Sequence, residues 1–152
     1  MLIEDGLPQL LISTSSFVKH EIDVVLELGA VPFVSSQRHR LLEILINLVS
    51  NARHAVKDGE VGQRRITIRL RRDVESAFIE VADNGVGIVA DDLVRIFVHG
   101  FTTKKNGHGF GLHSSALAAK ELGGSLSVES DGRGRGACFR LTIPLLHERL
   151  AA

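Results

Sequence analysis

The sequence predicts a two-layer α/β sandwich built as one domain, on two observations. The chain has 152 residues, the size of one domain, and a chain of that length buries roughly 70% of its unfolded surface. Its helical and strand-like segments come in mixed order. Helices join some strands and tight turns join others, which favours two layers over a doubly wound parallel sheet.

The elements follow in order. Leu7 to Ser16 suits a short helix opened by Pro8. In Glu21 to Leu28, Ile22, Val24, Leu26 and Leu28 form an apolar alternation, a half-buried strand. Ser36 is the expected N-cap of a helix over Gln37 to Lys57. There Leu41, Leu45, Leu48, Ala52, Ala55 and Val56 recur at helical spacing until Lys57-Asp58-Gly59 stops it. Arg65 to Arg72 alternates through Ile66, Ile68 and Leu70, and Ala77 to Ala82 is a more evenly apolar strand. Asp91 to Phe97 predicts a short helix and His99 to Asn106 a loop. Leu112 to Leu122 is a helix with a glycine stop at Gly123-Gly124. Ser125 to Ser130 and Ala137 to Pro144 are strands about the turn Asp131 to Gly136. The predicted organisation is a lead-in helix and strand over 1–35 and a core over 36–145.

Composition excludes several functions. The 18 basic and 18 acidic residues balance, so no nucleic-acid footprint is expected. The single cysteine, Cys138, allows no internal disulfide and sits in an apolar run that suits a buried thiol. No apolar run reaches the roughly 20 residues of a spanning helix. The chain reads as soluble and intracellular.

Four segments carry chemistry. Asp83 ends an apolar strand and opens the turn Asp83-Asn84-Gly85-Val86-Gly87-Ile88. A carboxylate only accepts hydrogen bonds, which matches the exocyclic amine of adenine and opposes the carbonyl of guanine. The glycines let backbone approach a ring closely. Gly107-His108-Gly109-Phe110-Gly111-Leu112 runs straight into a helix, where bare N–H groups and the helix N-terminus suit phosphate. Gly132 to Gly136 has the same glycine spacing but opens no helix, and is read as a plain hairpin turn. Asn47 and Asn51 share one helix face, with Glu43 a turn earlier. Carboxamide oxygens there suit Mg²⁺, which takes its other ligands from phosphates and water. Phe101-Thr102-Thr103-Lys104-Lys105-Asn106 places two lysines and two hydroxyls where they would close over phosphates. Taken singly, each segment also fits an ordinary turn, loop or solvated helix face. No P-loop, kinase His-Arg-Asp or zinc spacing is present.

Their order is more specific. Asn47-x-x-x-Asn51-Ala52, Asp83-x-Gly85-x-Gly87, Phe97, Phe101-Thr102-Thr103-Lys104 and Gly107-x-Gly109-x-Gly111-Leu112 together resemble the catalytic, ATP-binding domain of bacterial sensor histidine kinases. That family shares a superfamily with gyrase, the ninety-kilodalton heat-shock chaperones and the mismatch-repair ATPases. The resemblance covers about Arg38 to Pro144. It implies a Bergerat-type sandwich, a mixed and mostly antiparallel sheet with helices on one face, and MgATP as ligand.

By resemblance, Asn51 holds Mg²⁺ and Asn47 supports the phosphates. Asp83 bonds the adenine amine, with Gly85 and Gly87 beside it. Ile88 and Phe97 wall the pocket, and Thr142 reaches the base through water. Thr102, Thr103, Lys104 and Lys105 belong to a lid over 98–108, and Gly107, His108, Gly109, Phe110, Gly111 and Leu112 wrap the phosphates. His54, beside Ala55, stands where the family often has lysine or arginine. Asn47, Glu43 and Lys104 are the expected catalytic positions. A glutamate matches Asn47 in the gyrase and chaperone branches and activates water there; an asparagine cannot serve as that base.

The resemblance therefore implies a cytoplasmic protein-histidine kinase domain, or the cytoplasmic part of a membrane-anchored sensor. Its partners would be a helical-hairpin phosphoacceptor domain and, indirectly, a response regulator. His20-Glu21 lacks the following proline of a phosphoacceptor motif and reads as structural. The expected chain is the catalytic domain alone, monomeric in isolation. The alternatives are an ATP-binding module without phosphotransfer and an anti-sigma-type serine kinase of the same fold.

Overall fold

The computed structural model describes residues 22–29, 35–59, 62–98 and 111–145, with only the backbone described for 35–37. The predicted helix Leu7 to Ser16 and residues 99–108 of the predicted lid lie outside these. The order is β1 (Asp23–Leu28), α1 (Ser35–Asp58), β2 (Arg65–Arg72), β3 (Ser76–Asp83), α2 (Ala90–Leu93), α3 (Gly111–Glu121), β4 (Ser125–Glu129) and β5 (Ala137–Pro144). The five strands form one sheet in the order β1-β2-β3-β5-β4. Only β1 and β2 run parallel, joined across α1; the other pairs are antiparallel.

Strand alternation builds the core. Ile66, Ile68 and Leu70 of β2, Ala77, Ile79 and Val81 of β3, and Phe139, Leu141 and Ile143 of β5 are buried on one face of the sheet. Against them pack Leu41, Ile44, Leu45, Leu48, Val49, Ala52 and Val56 of α1, and Ala118 and Ala119 of α3. The small residues of α3 let it sit close beside α1, where Arg40 pairs with Glu121 at the rim.

The other face is polar. Register lines up Glu27, Arg69, Glu80, Arg140 and Ser127 across all five strands. Arg69 bonds Glu27 at 2.6 Å, and the buried Glu80 is held by both Arg71 and Arg140. Burial works to raise the Glu80 pKa, but the two guanidiniums together hold it below its usual value. Arg140 also lies 5.1 Å above the Phe78 ring. Among the described residues this cross-strand alternation of sign pairs the charges of the face with one another.

Two local expectations differ from the structure. The first long helix starts at Ser35, so Ser36 lies inside its first turn instead of capping it. The segment expected as a helix over Asp91 to Phe97 is helical only to Leu93. Beyond it the chain closes i→i−3 bonds, Arg95 N–H to the Asp92 carbonyl and Val98 N–H to the Arg95 carbonyl. The β-branched residues Val94, Ile96 and Val98 lower helix propensity there. The glycine stop of α3 is as expected: Gly123 takes φ +79° and Gly124 N–H reaches back to the Ala119 carbonyl at 2.9 Å.

Candidate functional site

A cavity of about 730 Å³ opens at one edge of the helical layer, within the range of small-molecule sites. One wall is α1, where Asn51, His54, Ala55 and Asp58 recur at helical spacing. These lie beside the sheet-facing stripe, and Ala55 is only half-buried because it faces the cavity. A second wall is the loop after β3, from Asp83 to Val89. Asp92 and Ile96 close another side, and Ala137 and Phe139 of β5 line the back.

Asp83 is the unusual group. Its Oδ1 accepts the Gly85 N–H at 2.9 Å. Its Oδ2 is buried and has no hydrogen-bond partner among the described residues. Burial pushes the Asp83 carboxyl up to about 6, while the N–H groups of Gly85 and the nearby Ala137 pull the other way. A buried acceptor left open beside a cavity is a demand for a donor.

The loop after Asp83 owes its glycines to protein contacts. A Cβ on Gly85 would sit 2.3 Å from the Ala55 carbonyl, and the next residue, Val86, donates its N–H to that carbonyl at 3.1 Å. Gly87 has φ +74°, and a Cβ there would lie 2.0 Å from the Gly132 carbonyl oxygen. The close approach anticipated for a ligand is thus made first by α1 and by the β4–β5 turn.

That turn, read from sequence as a plain hairpin, is part of the site. Arg133 and Gly134 line the cavity. Gly134 N–H donates to the Val86 carbonyl at 2.6 Å and Gly136 N–H to the Gly85 carbonyl at 3.2 Å. Asp58, Val86, Val89, Asp92, Ile96, Ala137 and Phe139 are further lining residues that the motifs did not single out.

Of the expected site residues, the cavity gathers Asn51, His54, Ala55, Asp83, Gly85, Gly87 and Ile88. His54 donates Nδ1–H to the Ser50 carbonyl at 2.7 Å, the tautomer that the carbonyl requires. Asn47 does not line the cavity. Its Nδ2 donates to Ser115 Oγ at 3.0 Å and lies 3.5 Å from the Gly111 carbonyl, tying α1 to the first turns of α3. Glu43 is exposed, and Leu112 packs against the core. Phe97 stands behind the site, edge-on to Phe139 with ring centroids 6.3 Å apart; Ile96 is the wall instead.

Thr142 is misplaced by the sequence reading. Its β5 neighbours Leu141 and Ile143 point into the core, so strand parity puts Thr142 on the opposite face. Ala137, paired with Asp83, and Phe139 are the β5 residues at the cavity. Thr102, Thr103, Lys104, Lys105, Gly107, His108, Gly109 and Phe110 lie outside the described residues.

Comparison with known proteins shows the family to which this fold belongs. The family described as histidine kinase-, DNA gyrase B-, and HSP90-like ATPase matches residues 36–147. The chain is 38% identical over 114 residues to the sensor protein CitS of Halalkalibacterium halodurans, covering 74% of this chain and 21% of that one. It is 40% identical over 122 residues to the sensor protein ChvG of Agrobacterium fabrum, covering 72% and 20%. The chain thus spans about a fifth of the length of these curated relatives. Among solved structures, the catalytic domain of the histidine kinase ThkA superposes with a TM-score of 0.79 at 27% identity, over 95% of this chain and 93% of that one. Full-length ShkA in complex with AMPPNP gives 0.79 at 24% identity, over 95% of this chain and 30% of that one, a likeness of fold. The chain belongs to the histidine kinase-, DNA gyrase B-, and HSP90-like ATPase family, as an ATP-binding domain of the sensor-histidine-kinase type.

Proposed function

We propose that this chain binds MgATP in the cavity and donates the γ-phosphoryl group to a histidine on a separate helical-hairpin domain, within a two-component sensor kinase. The observation that carries the nucleotide pose is the orphaned Asp83 Oδ2. The adenine amine supplies the missing donor, and guanine would set an acceptor against it. Ile88, Ile96 and Phe139 offer apolar surface for the base.

The residues present also fit a magnesium ion. Asn51 lines the cavity and offers a carboxamide oxygen, the hard ligand Mg²⁺ takes alongside phosphate oxygens. Bound there, the ion would neutralise charge on the phosphates. Among the described residues no cluster of His, Cys, Asp and Glu is placed to hold a metal, so this reading draws the remaining ligands from nucleotide and water.

In this reading Asn47 orients the start of α3 through Ser115 and Gly111, and so acts on the phosphate side without lining the base end. Lys104 and Lys105 of the lid 98–108, and the glycines Gly107, Gly109 and Gly111, are assigned to the phosphates from sequence, within a core spanning 36–145. The chain's own work is positioning and charge neutralisation while the bond from the γ-phosphorus to the bridging oxygen breaks, the bond to the acceptor nitrogen forms, and ADP leaves. No residue of this chain needs to act as a nucleophile.

The test is transfer from γ-labelled ATP to a histidine-bearing hairpin mixed with this chain. The expected product is an acid-labile phosphoprotein formed only when both are present. An acid-stable product identifies serine as the acceptor, and ATP binding without transfer leaves a nucleotide-binding module.

A further inference from the structure

Ser130 lies between β4 and the turn, and no sequence motif drew attention to it. Its hydroxyl uses every hydrogen-bonding position. It accepts the Ile88 N–H at 2.9 Å and the Gly132 N–H at 3.3 Å, and donates to the Gly136 carbonyl at 2.6 Å. One side chain therefore holds the far end of the Asp83–Val89 loop and both arms of the β4–β5 turn. The near end of the loop is already fixed, because Asp83 pairs with Ala137 in the sheet. Between these ends the bonds are backbone to backbone, from Gly134 to Val86 and from Gly136 to Gly85. Ser130 is the one side-chain member of this set of bonds between loop and turn among the described residues, and so the one that substitution can remove.

We propose that Ser130 is a specificity-determining positioning residue: its hydroxyl locks the base-contact loop against the β4–β5 turn, and adenine selection by Asp83 depends on that lock. The inference rests on the adenine reading of Asp83. Geometry explains the dependence. Oδ2 selects an amine only if the ring is held at a fixed height and tilt, and the backbone of Gly87 and Ile88 beside the cavity provides that support. Without the hydroxyl, the Ile88 N–H and the Gly136 carbonyl lose their partners and the loop can lift from the turn. Selection through an unpaired buried group weakens once the loop is free to move and let water in.

The experiment measures Kd for ATP and for GTP by calorimetry on the 152-residue chain. It compares wild type, Ser130→Ala, Ser130→Thr, Asp83→Ala and the Ser130→Ala/Asp83→Ala double variant, with thermal melts to establish folding. Ser130→Ala is expected to weaken ATP about tenfold and to lower the ATP-over-GTP preference by a similar factor. Ser130→Thr, which keeps the hydroxyl, should restore most of both. In the Asp83→Ala background, Ser130→Ala should cost less than about twofold, because residues acting through one contact are not additive. Ser130→Cys carries the same comparison if Ser130→Ala does not fold. A folded Ser130→Ala with unchanged ATP affinity and preference overturns the proposal. Equal weakening with and without Asp83 also overturns it, leaving a merely structural serine. Wild-type chain that binds no ATP would instead overturn the nucleotide reading itself, and the inference with it.

Discussion

Two glycine-rich turns, Gly85 to Gly87 and Gly132 to Gly136, look alike in composition, yet the sequence assigns the first to a ligand and the second to a plain hairpin. In the structure they are two halves of one object. Both contain positive-φ glycines: Gly87 in the first, and Gly132, Gly134 and Gly136 in the second. They differ in what surrounds those glycines. Gly87 and Gly136 are pressed against facing backbone, whereas Gly132 and Gly134 have nothing within 4 Å of where a Cβ would be. Positive φ alone marks a turn; positive φ plus a blocked Cβ marks the seam where the turns meet.

The largest effect should come from breaking that seam. Gly87→Ala combines the left-handed penalty of about 1–2 kcal/mol with a contact at 2.0 Å to the Gly132 carbonyl that only backbone movement relieves. We expect at least about 3 kcal/mol of lost stability in urea unfolding, with ATP affinity lost in parallel. An alanine there that leaves the unfolding midpoint unchanged would separate the two turns again.

Next comes Asp83, which sits at the seam and lines the cavity. Its folded-state pKa is raised from 3.8 to about 6. Between those values the folded chain binds more protons than the unfolded chain, so stability falls as pH rises through that window. The full difference is an upper bound of roughly 3 kcal/mol. Denaturant midpoints of the nucleotide-free chain should therefore drop between pH 4 and 6, and Asp83→Asn should flatten the drop. ATP shows the opposite trend, because the charge-assisted bond to the amine needs the ionised carboxyl. Calorimetry should find ATP bound about tenfold more weakly at pH 5 than at pH 7. Asp83→Ala at pH 7 removes a charge-assisted bond worth about 1.5–3 kcal/mol, a 10- to 100-fold loss in ATP affinity. Unchanged affinity in that variant would remove Asp83 from the base site.

How much of this was legible beforehand depends on the range of the contact. β2 and β5 are found with the predicted bounds, because strict alternation of Ile66, Ile68 and Leu70, or Phe139, Leu141 and Ile143, states both the strand and its buried face. The same alternation already turned Thr142 away from the cavity; a period-2 count was available and outranked the family analogy. The α1 stripe was readable, and with it Asn51 and His54, whereas Asp58 was read only as part of the helix stop. The shortness of α2 was less so, since i→i−3 closure competes with helix over a few tenths of a kcal/mol per residue. Arg133 at the cavity and the contact of Gly87 with Gly132 were not readable at all. They join residues far apart in sequence through a fold that brings β3 beside β5, and no local pattern records such a meeting.

The smallest effect is the one that most sharply separates the two turns. Gly134 shares the positive φ of Gly87, at +77° against +74°, but a Cβ there meets nothing within 4 Å. Gly134→Ala should therefore cost only the left-handed conformational penalty, about 1 kcal/mol, and should leave the Gly134 N–H free to bond the Val86 carbonyl. Unfolding should shift modestly and ATP affinity should change less than about threefold. If Gly134→Ala matched Gly87→Ala in both measurements, conformation would be the whole explanation for the glycines of the seam. A gap of about 2 kcal/mol or more between the variants instead assigns the difference to the carbonyl of Gly132, and makes the fit of one turn against the other the property that shapes the base end of the site.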